Sequence, residues 1–311
     1  MKILLTGAAG FIGYHVSKQL LEQGHTVIGI DNLNDYYDTS LKKDRLEQLQ
    51  KHDTFSFNKI DISEKIRLDK EFDQIVHLAA QAGVRYSIEN PHIYEKSNSI
   101  GTLNVFEYAK EKNIPKVVFA SSSSVYGEKT ETPFKETMKL SKPVSLYAAT
   151  KKHNELQAHV YHDLYDITMV GLRFFTVYGP WGRPDMAPMI FTDLITSGDP
   201  IKVFNHGDMR RDFTYVEDIA NGVVKAVEKE GFSYEIMNLC NGTPVNLLDF
   251  IETLEKHIGV EAEKKMLPMQ PGDVKVTYGD NTKAKKILGY EPQTNIDKGV
   301  KKFIDWYKEY Y

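Results

Sequence analysis

A doubly wound parallel α/β sheet with a smaller C-terminal lobe is the architecture expected of this 311-residue chain. Three features carry that expectation. Short apolar runs alternate with stretches of helical periodicity, the first run leads into a glycine-rich turn, and the texture of the chain changes after Tyr178.

Lys2-Ile3-Leu4-Leu5 reads as a buried strand. From Gly10 to Gln23, Phe11, Ile12, Val16 and Leu20 recur at helical spacing, and Gly24 stops the helix. Thr26 to Ile30 is a second β-branched run, ending in Asp31. Similar runs lie at Gln74 to Leu78, Lys116 to Ala120 and Thr168 to Leu172. Strands that are apolar throughout are those of a parallel sheet covered on both faces. Beyond Tyr178, Pro180, Pro184, Pro188 and Pro200 cut the chain into short pieces. Residues 1–175 are therefore expected to form a nucleotide-binding domain and 176–311 mainly a substrate lobe. Tyr234 to Cys240 reads as a late strand returning to the first sheet.

Composition narrows the setting. Hydrophobic residues make up 41% of the chain, enough for a large core, and the net charge of −4 offers no basic surface for nucleic acid or anionic lipid. The single cysteine, Cys240, rules out an internal disulfide and fits a reducing, cytoplasmic compartment. The apolar run in MKILLTGAAGFIG is too short for a signal peptide or a membrane span. Asn241-Gly-Thr243 matches a glycosylation sequon by chance. No metal-ligand set is assigned.

The turn carries the first chemistry. Gly7, Gly10 and Gly13, with Phe11 and Ile12 between them, join a strand to a helix. Glycines there permit a tight turn and close backbone approach to a pyrophosphate at the positive helix end. This is a Rossmann-type signature. Asp31 stands where a carboxylate can bind the adenosine ribose, with Asn32 beside it. Asn32-Leu-Asn-Asp35 brings no cation for a 2′-phosphate, so NAD is favoured over NADP. Asp61 and Ile62 either hold the adenine edge or start a helix, Asp61 being an N-cap ahead of Ser63-Glu64.

The second chemistry is a pair. Tyr147 and Lys151, in YAATK, are four apart and so share one helix face. A tyrosine titrates near pH 10, and a neighbouring ammonium together with a positive nicotinamide favours its phenolate, making it a general base. Val117 to Ser124 runs from apolar residues into four serines, a strand end at which Ser122 can bind the reacting hydroxyl or the developing ketone.

With these residues the chain resembles the extended short-chain dehydrogenase/reductase family in its nucleotide-sugar branch. TGAAGFIG, Asp31, the serine strand end, YAATK and RRDFTYVEDIA carry the likeness, which runs on to PGDVKVTYGDNTKAKKILGYEP. TVYGPWGRPDMA and MLPMQPGDV are most similar to the UDP-glucuronate 4-epimerases of that branch. The resemblance implies tightly bound NAD, a UDP-sugar substrate and a homodimer. It assigns Leu78, Ala79, Ala80, Asn98 and Phe174 to the cofactor, Arg211 to the diphosphate, Asp273 to the uridine ribose and Val203 to the substrate side.

Departures within the branch point to the reaction. Dehydratases carry Asp-Glu at the positions of Ser123 and Ser124, and decarboxylating members a glutamate at that of Ser124. Two serines leave proton removal at C5 without an agent. What remains is oxidation at C4, reorientation of the ketone and hydride return to its other face. UDP-galactose 4-epimerases have asparagine at Thr176 and commonly arginine at Gln270, for which Arg210 is a candidate replacement. Ser123, Ser124, Thr176 and Arg183 read together as a receptor for a C6 carboxylate, the arginine presenting a two-bond fork. The alternative is that Arg183 pins its own loop to Asp185. The expected function is an NAD-dependent 4-epimerase interconverting UDP-glucuronate and UDP-galacturonate without decarboxylation. Next in line stand a UDP-glucuronate decarboxylase, a 4-epimerase of uncharged UDP-hexoses, and a non-catalytic NAD sensor.

Overall fold

The computed structural model describes residues 1–128, 131–270 and 274–311. The strands of the first part are β1 (Lys2–Thr6), β2 (Thr26–Asp31), β3 (Phe55–Lys59), β4 (Gln74–His77), β5 (Lys116–Ser122) and β6 (Thr168–Phe174). Short strands follow: β7 (Thr176–Tyr178), β8 (Ile201–Val203), β9 (Arg210–Arg211) and β10 (Phe213–Tyr215). After them come β11 (Tyr234–Leu239), β12 (Val245–Asn246), β13 (Lys264–Met266) and β14 (Val276–Thr277). The helices of the first part are α1 (Phe11–Glu22), α2 (Ser40–Leu49), α3 (Tyr86–Glu89), α4 (Pro91–Tyr94), α5 (Gly101–Glu111) and α6 (Leu146–Tyr165). Then come α7 (Ala187–Ser197), α8 (Val216–Glu228), α9 (Leu247–Ile258), α10 (Thr282–Leu288) and α11 (Ile296–Tyr310).

Among the described residues the main sheet has seven strands in the order β11-β6-β5-β4-β1-β2-β3, all parallel. The middle stretches of its central strands are apolar because both faces are covered. In β1, Ile3 and Leu5 join the core under α1 and α8, while Leu4 joins the core under α5 and α6. The strand β11 arrives after an excursion into the second lobe and pairs with β6 from Tyr234↔Met169 to Leu239↔Phe174. Among the described residues the smaller lobe holds three short sheets and its own core, in which the Phe213 and Phe250 rings stack with centroids 4.1 Å apart. No helix among the described residues is long and apolar enough to cross a membrane.

Strand order reverses between β1 and β4, and ligands of such sheets bind at the carboxyl ends there. Two glycines make that end what it is. Gly7 has φ +77°, and a Cβ on it would lie 2.8 Å from the Ala79 nitrogen. A Cβ on Gly13 would lie 2.0 Å from the Gly7 carbonyl oxygen, so α1 can pack this tightly only without one. Helix α6 is aimed at the same end. The Ser145 Oγ caps it by accepting the Ala148 N–H at 3.1 Å, which puts Tyr147 in the first turn, Lys151 one turn on and Glu155 a turn further. The buried Glu155 carboxylate accepts from Ser121 Oγ at 2.7 Å and from Arg173 Nε and Nη2 at 2.7 and 2.9 Å. These bonds set the helix against the ends of β5 and β6.

Candidate functional site

A cleft of about 460 Å³ opens over the strand reversal and is walled by both lobes. On the nucleotide side the wall includes Gly7, Gly10, Phe11, Ile12, Gly13, Asp31, Asn32, Asp61, Ile62, Leu78, Ala79 and Ala80. No side chain caps the start of α1 and its first turn carries no acid, so its leading N–H groups and positive end are left for an anion. Asp31 accepts the Leu33 N–H at 2.8 Å, and burial pushes its carboxyl above the usual range. No helix begins directly after Asp61, so it is not an N-cap; it closes a turn instead. It lines the cleft, and its Oδ1 accepts the Ser63 N–H at 2.9 Å in a local turn. Burial acts to raise its carboxyl, but bonds from Ser63 and Asn32 outweigh that and lower it.

On the sugar side Ser122, Ser123, Ser124, Tyr147, Lys151, Phe174, Thr176, Arg183 and Arg211 line the same cleft. Burial pushes the Tyr147 phenol up, while the Ser122 hydroxyl and the Arg183 charge pull it down, and burial wins. Lys151 is buried, its Nζ donates to the Ala120 carbonyl at 2.9 Å, and burial brings it down to about 8. Burial thus works against the phenolate that a neighbouring ammonium and the positive nicotinamide favour.

Two assigned residues stand off the cleft wall. Asn98 is wholly buried and not on the cleft wall. Its Oδ1 accepts the Gln81 N–H at 2.8 Å and its Nδ2 donates to the Gln81 carbonyl at 3.0 Å, so it acts on the wall through Gln81, which lines it. Val203 is likewise fully buried, in the core of the smaller lobe, because its strand pairs with β13 there. Asp273 lies outside the described residues. Arg210 is exposed and does not line the cleft.

Arg183 lines the cleft and also grips Asp185. Its Nε donates to Asp185 Oδ1 at 3.0 Å, and its Nη2 donates to Oδ2. The loop that carries it is pinned twice. His15 Nε2–H donates to the Pro180 carbonyl at 2.9 Å, and burial keeps that imidazole neutral, near 4. Arg45, wholly buried, donates to the carbonyls of Ala9 at 2.9 Å and of Trp181 at 2.6 Å, and to that of Gly182. One guanidinium thus ties the glycine turn to the Arg183 loop.

Sequence reasoning missed several wall residues: Asn34, Tyr36, Tyr37, Lys42, Gln81 and Met186. Lys42 matters most, since it brings a cation near Asp31 that the residues just after β2 do not. It is bound to Asn34, its Nζ donating to the carbonyl at 2.7 Å and to Oδ1 at 2.6 Å. It sits in the first turn of α2, and no sequence signal marks it, because the placement of that helix depends on distant packing.

A glycine turn at the strand reversal, with tyrosine and lysine one helical turn apart across the cleft, defines a class: a dinucleotide-dependent α/β enzyme that moves hydride at an alcohol carbon. The chain belongs to the NAD dependent epimerase/dehydratase family, whose model matches residues 3–240. A UDP-glucuronate 4-epimerase of Thermodesulfobacterium geofontis is 46% identical over 312 residues, spanning 98% of this chain and 96% of its own. UDP-glucuronate 4-epimerase 4 of Arabidopsis thaliana is 45% identical over 330 residues, spanning 99% and 76%. Among solved structures, UDP-glucuronic acid 4-epimerase from Bacillus cereus, in complex with UDP-glucuronic acid and NAD, superposes with a TM-score of 0.93. It is 36% identical, and each chain is covered in full.

Proposed function

We propose that this chain is an NAD-dependent isomerase that interconverts UDP-glucuronate and UDP-galacturonate at C4. The observation that carries the reading is that Ser122, Ser123, Ser124, Thr176 and Arg183 share one wall with Tyr147 and no carboxyl group stands in the serine run. Tyr147 takes the proton from O4, Ser122 steadies that oxygen, and Lys151 holds positive charge below the phenol. Bound NAD supplies the hydride acceptor and a positive ring that favours the phenolate. With only hydroxyls along Ser122 to Ser124, the C5 proton meets no base, so elimination does not follow oxidation. NMR of the product formed from UDP-glucuronate tests the reading. A pentose product would make the enzyme a decarboxylase, and no turnover of any UDP-sugar would make it a sensor.

Arg183 faces a particular hazard. After C4 oxidation the sugar is a β-keto acid, which loses CO₂ once its C5–C6 bond aligns with the carbonyl π system. The electrons of that bond pass to the ketone oxygen and C5 takes a proton. Donors on the carboxylate hold it out of alignment and keep its charge in place. Arg183→Ala should weaken UDP-glucuronate binding by about 1.5–3 kcal/mol, as for one charge-assisted bond. Part of its turnover should appear as a 4-keto-pentose, with the cofactor left reduced. Nucleotide-sugar masses and NADH absorbance read both. Wild-type binding with no CO₂ released would leave Arg183 a loop pin.

A homodimer is part of the proposal. Leu156, Val160 and Leu164 form a stripe at four-residue spacing on α6, 56%, 49% and 66% exposed, and Leu103 on the adjacent α5 is also exposed. A second copy laying the same two helices against these would bury the stripe. Sedimentation equilibrium at micromolar concentration should give twice the 35.6 kDa chain mass, and a monomer would refute it. A cytoplasmic site of action belongs to the same reading, supported by the lone, buried Cys240, and cell fractionation tests it.

A further inference from the structure

The fork of Arg183 is half taken. Both oxygens of Asp185 sit on its Nε and Nη2 edge, across Pro184. Tyr36, on the loop after β2, donates its hydroxyl to Asp185 Oδ2 at 3.0 Å. The Tyr36 ring is itself seated against Tyr86, centroids 4.7 Å apart. Asp185 is therefore held from both lobes. Arg183 and Tyr36 stand on the cleft wall, and Asp185 stands off it. The hydrogens on Nη1 and the second on Nη2 form the other edge of the guanidinium, where a ligand carboxylate can dock.

We infer that Asp185 is a specificity residue, a built-in carboxylate that neutralises Arg183 and narrows the enzyme's preference for a charged over an uncharged UDP-sugar. The inference rests on the substrate reading above. Without a counter-ion, an arginine in a partly enclosed cleft would penalise any sugar lacking a carboxylate, because the cation would be desolvated and unpaired. Asp185 removes that penalty. It also repels an arriving carboxylate, since two anions on one guanidinium lie within a few Å of each other. Both effects act in the same direction. The hydroxyls of Ser123, Ser124 and Thr176 are the same whether or not residue 185 is charged, so a change in the ratio on altering Asp185 reports on the Arg183 pair.

Asp185→Asn keeps the shape and one acceptor for Arg183 while deleting the charge. On NAD-loaded enzyme, the ratio of kcat/KM for UDP-glucuronate to that for UDP-glucose should rise about 5- to 50-fold. By calorimetry the Kd for UDP-glucuronate should fall and that for UDP-glucose should not. Asp185→Glu, which restores the charge, should bring the ratio back toward wild type. Asp185→Ser deletes the charge a second way if the Asn variant folds poorly. Equal losses for the two sugars would make Asp185 a loop pin, and a selective loss for UDP-glucuronate would make it an aid to Arg183. Either result, or an unchanged ratio, overturns the inference. Wild-type enzyme is tested first: if it does not bind UDP-glucuronate, the substrate reading itself fails.

Discussion

Tyr147→Phe should cut turnover of UDP-glucuronate by about 10²- to 10⁴-fold while cofactor and substrate stay bound. The change removes one oxygen and almost no volume. It deletes the proton acceptor at O4 and leaves the ring in place at the start of α6. Lys151 does not depend on that oxygen, since its Nζ is anchored on the Ala120 carbonyl. Steady-state kcat at saturating substrate reads the loss, and NAD content with substrate titration shows that binding survives. A variant keeping more than about a tenth of the wild-type rate would place the base elsewhere.

The largest stability effect is expected from Arg173→Leu. Arg173 and Glu155 are 3% and 1% exposed, and the arginine also donates from Nη1 to the Tyr126 hydroxyl at 3.0 Å. Tyr126 passes the chain on to Asn238 Oδ1 at 2.7 Å. Removing the arginine leaves a carboxylate buried on the catalytic helix, two turns beyond Tyr147. Broken buried pairs typically lose about 3–5 kcal/mol. The low end of that range applies here, because Lys152 still reaches Glu155 at 3.0 Å. The pH dependence has a definite sign. Burial acts to raise Glu155, but Arg173 outweighs it and holds the carboxyl below its ordinary value of 4.5. That stabilisation is present above the ordinary value and is lost as pH falls through and below it. The gap between wild type and variant in urea unfolding should therefore be widest near neutral pH and narrow in acid. A gap under about 1 kcal/mol at pH 7 would show that the network contributes little.

How much of this was legible in the chain depended on how local the cause was. Strands β1, β2, β5 and β6 could be read because a strand buried on both faces is an unbroken apolar run, and each extends one or two residues past its apolar core into the cleft-lining ends. The glycine turn was legible because steric demand sits in three nearby residues, and Tyr147 with Lys151 because one helical turn joins them. The wall residues Tyr36, Lys42 and Gln81 were not, since they reach the cleft on loops and a helix whose placement depends on distant packing. Arg45 gives no sequence signal at all: its partners are carbonyls of Ala9, Trp181 and Gly182, which any residue could supply. Asn98 and Val203 came from resemblance, and geometry puts both off the cleft wall. The Arg183–Asp185 pair was legible as one of two alternatives, and what it leaves open is the free edge of the fork.

The position of β11 bears on how the chain is made. Strand β6 is flanked by β5 on one side and β11 on the other, yet residues 175–233, which include the first strands of the smaller lobe and α8, are synthesised between β6 and β11. At the roughly 5–20 residues per second of translation, the outer edge of β6 stays unpaired for several seconds after the rest of the sheet has emerged. That edge, Thr168–Phe174, is mostly apolar, and an unpaired apolar edge is a template for a foreign strand. The nascent protein is thus most vulnerable to aggregation midway through its second half, and Tyr234–Leu239 ends the interval by capping the edge from within.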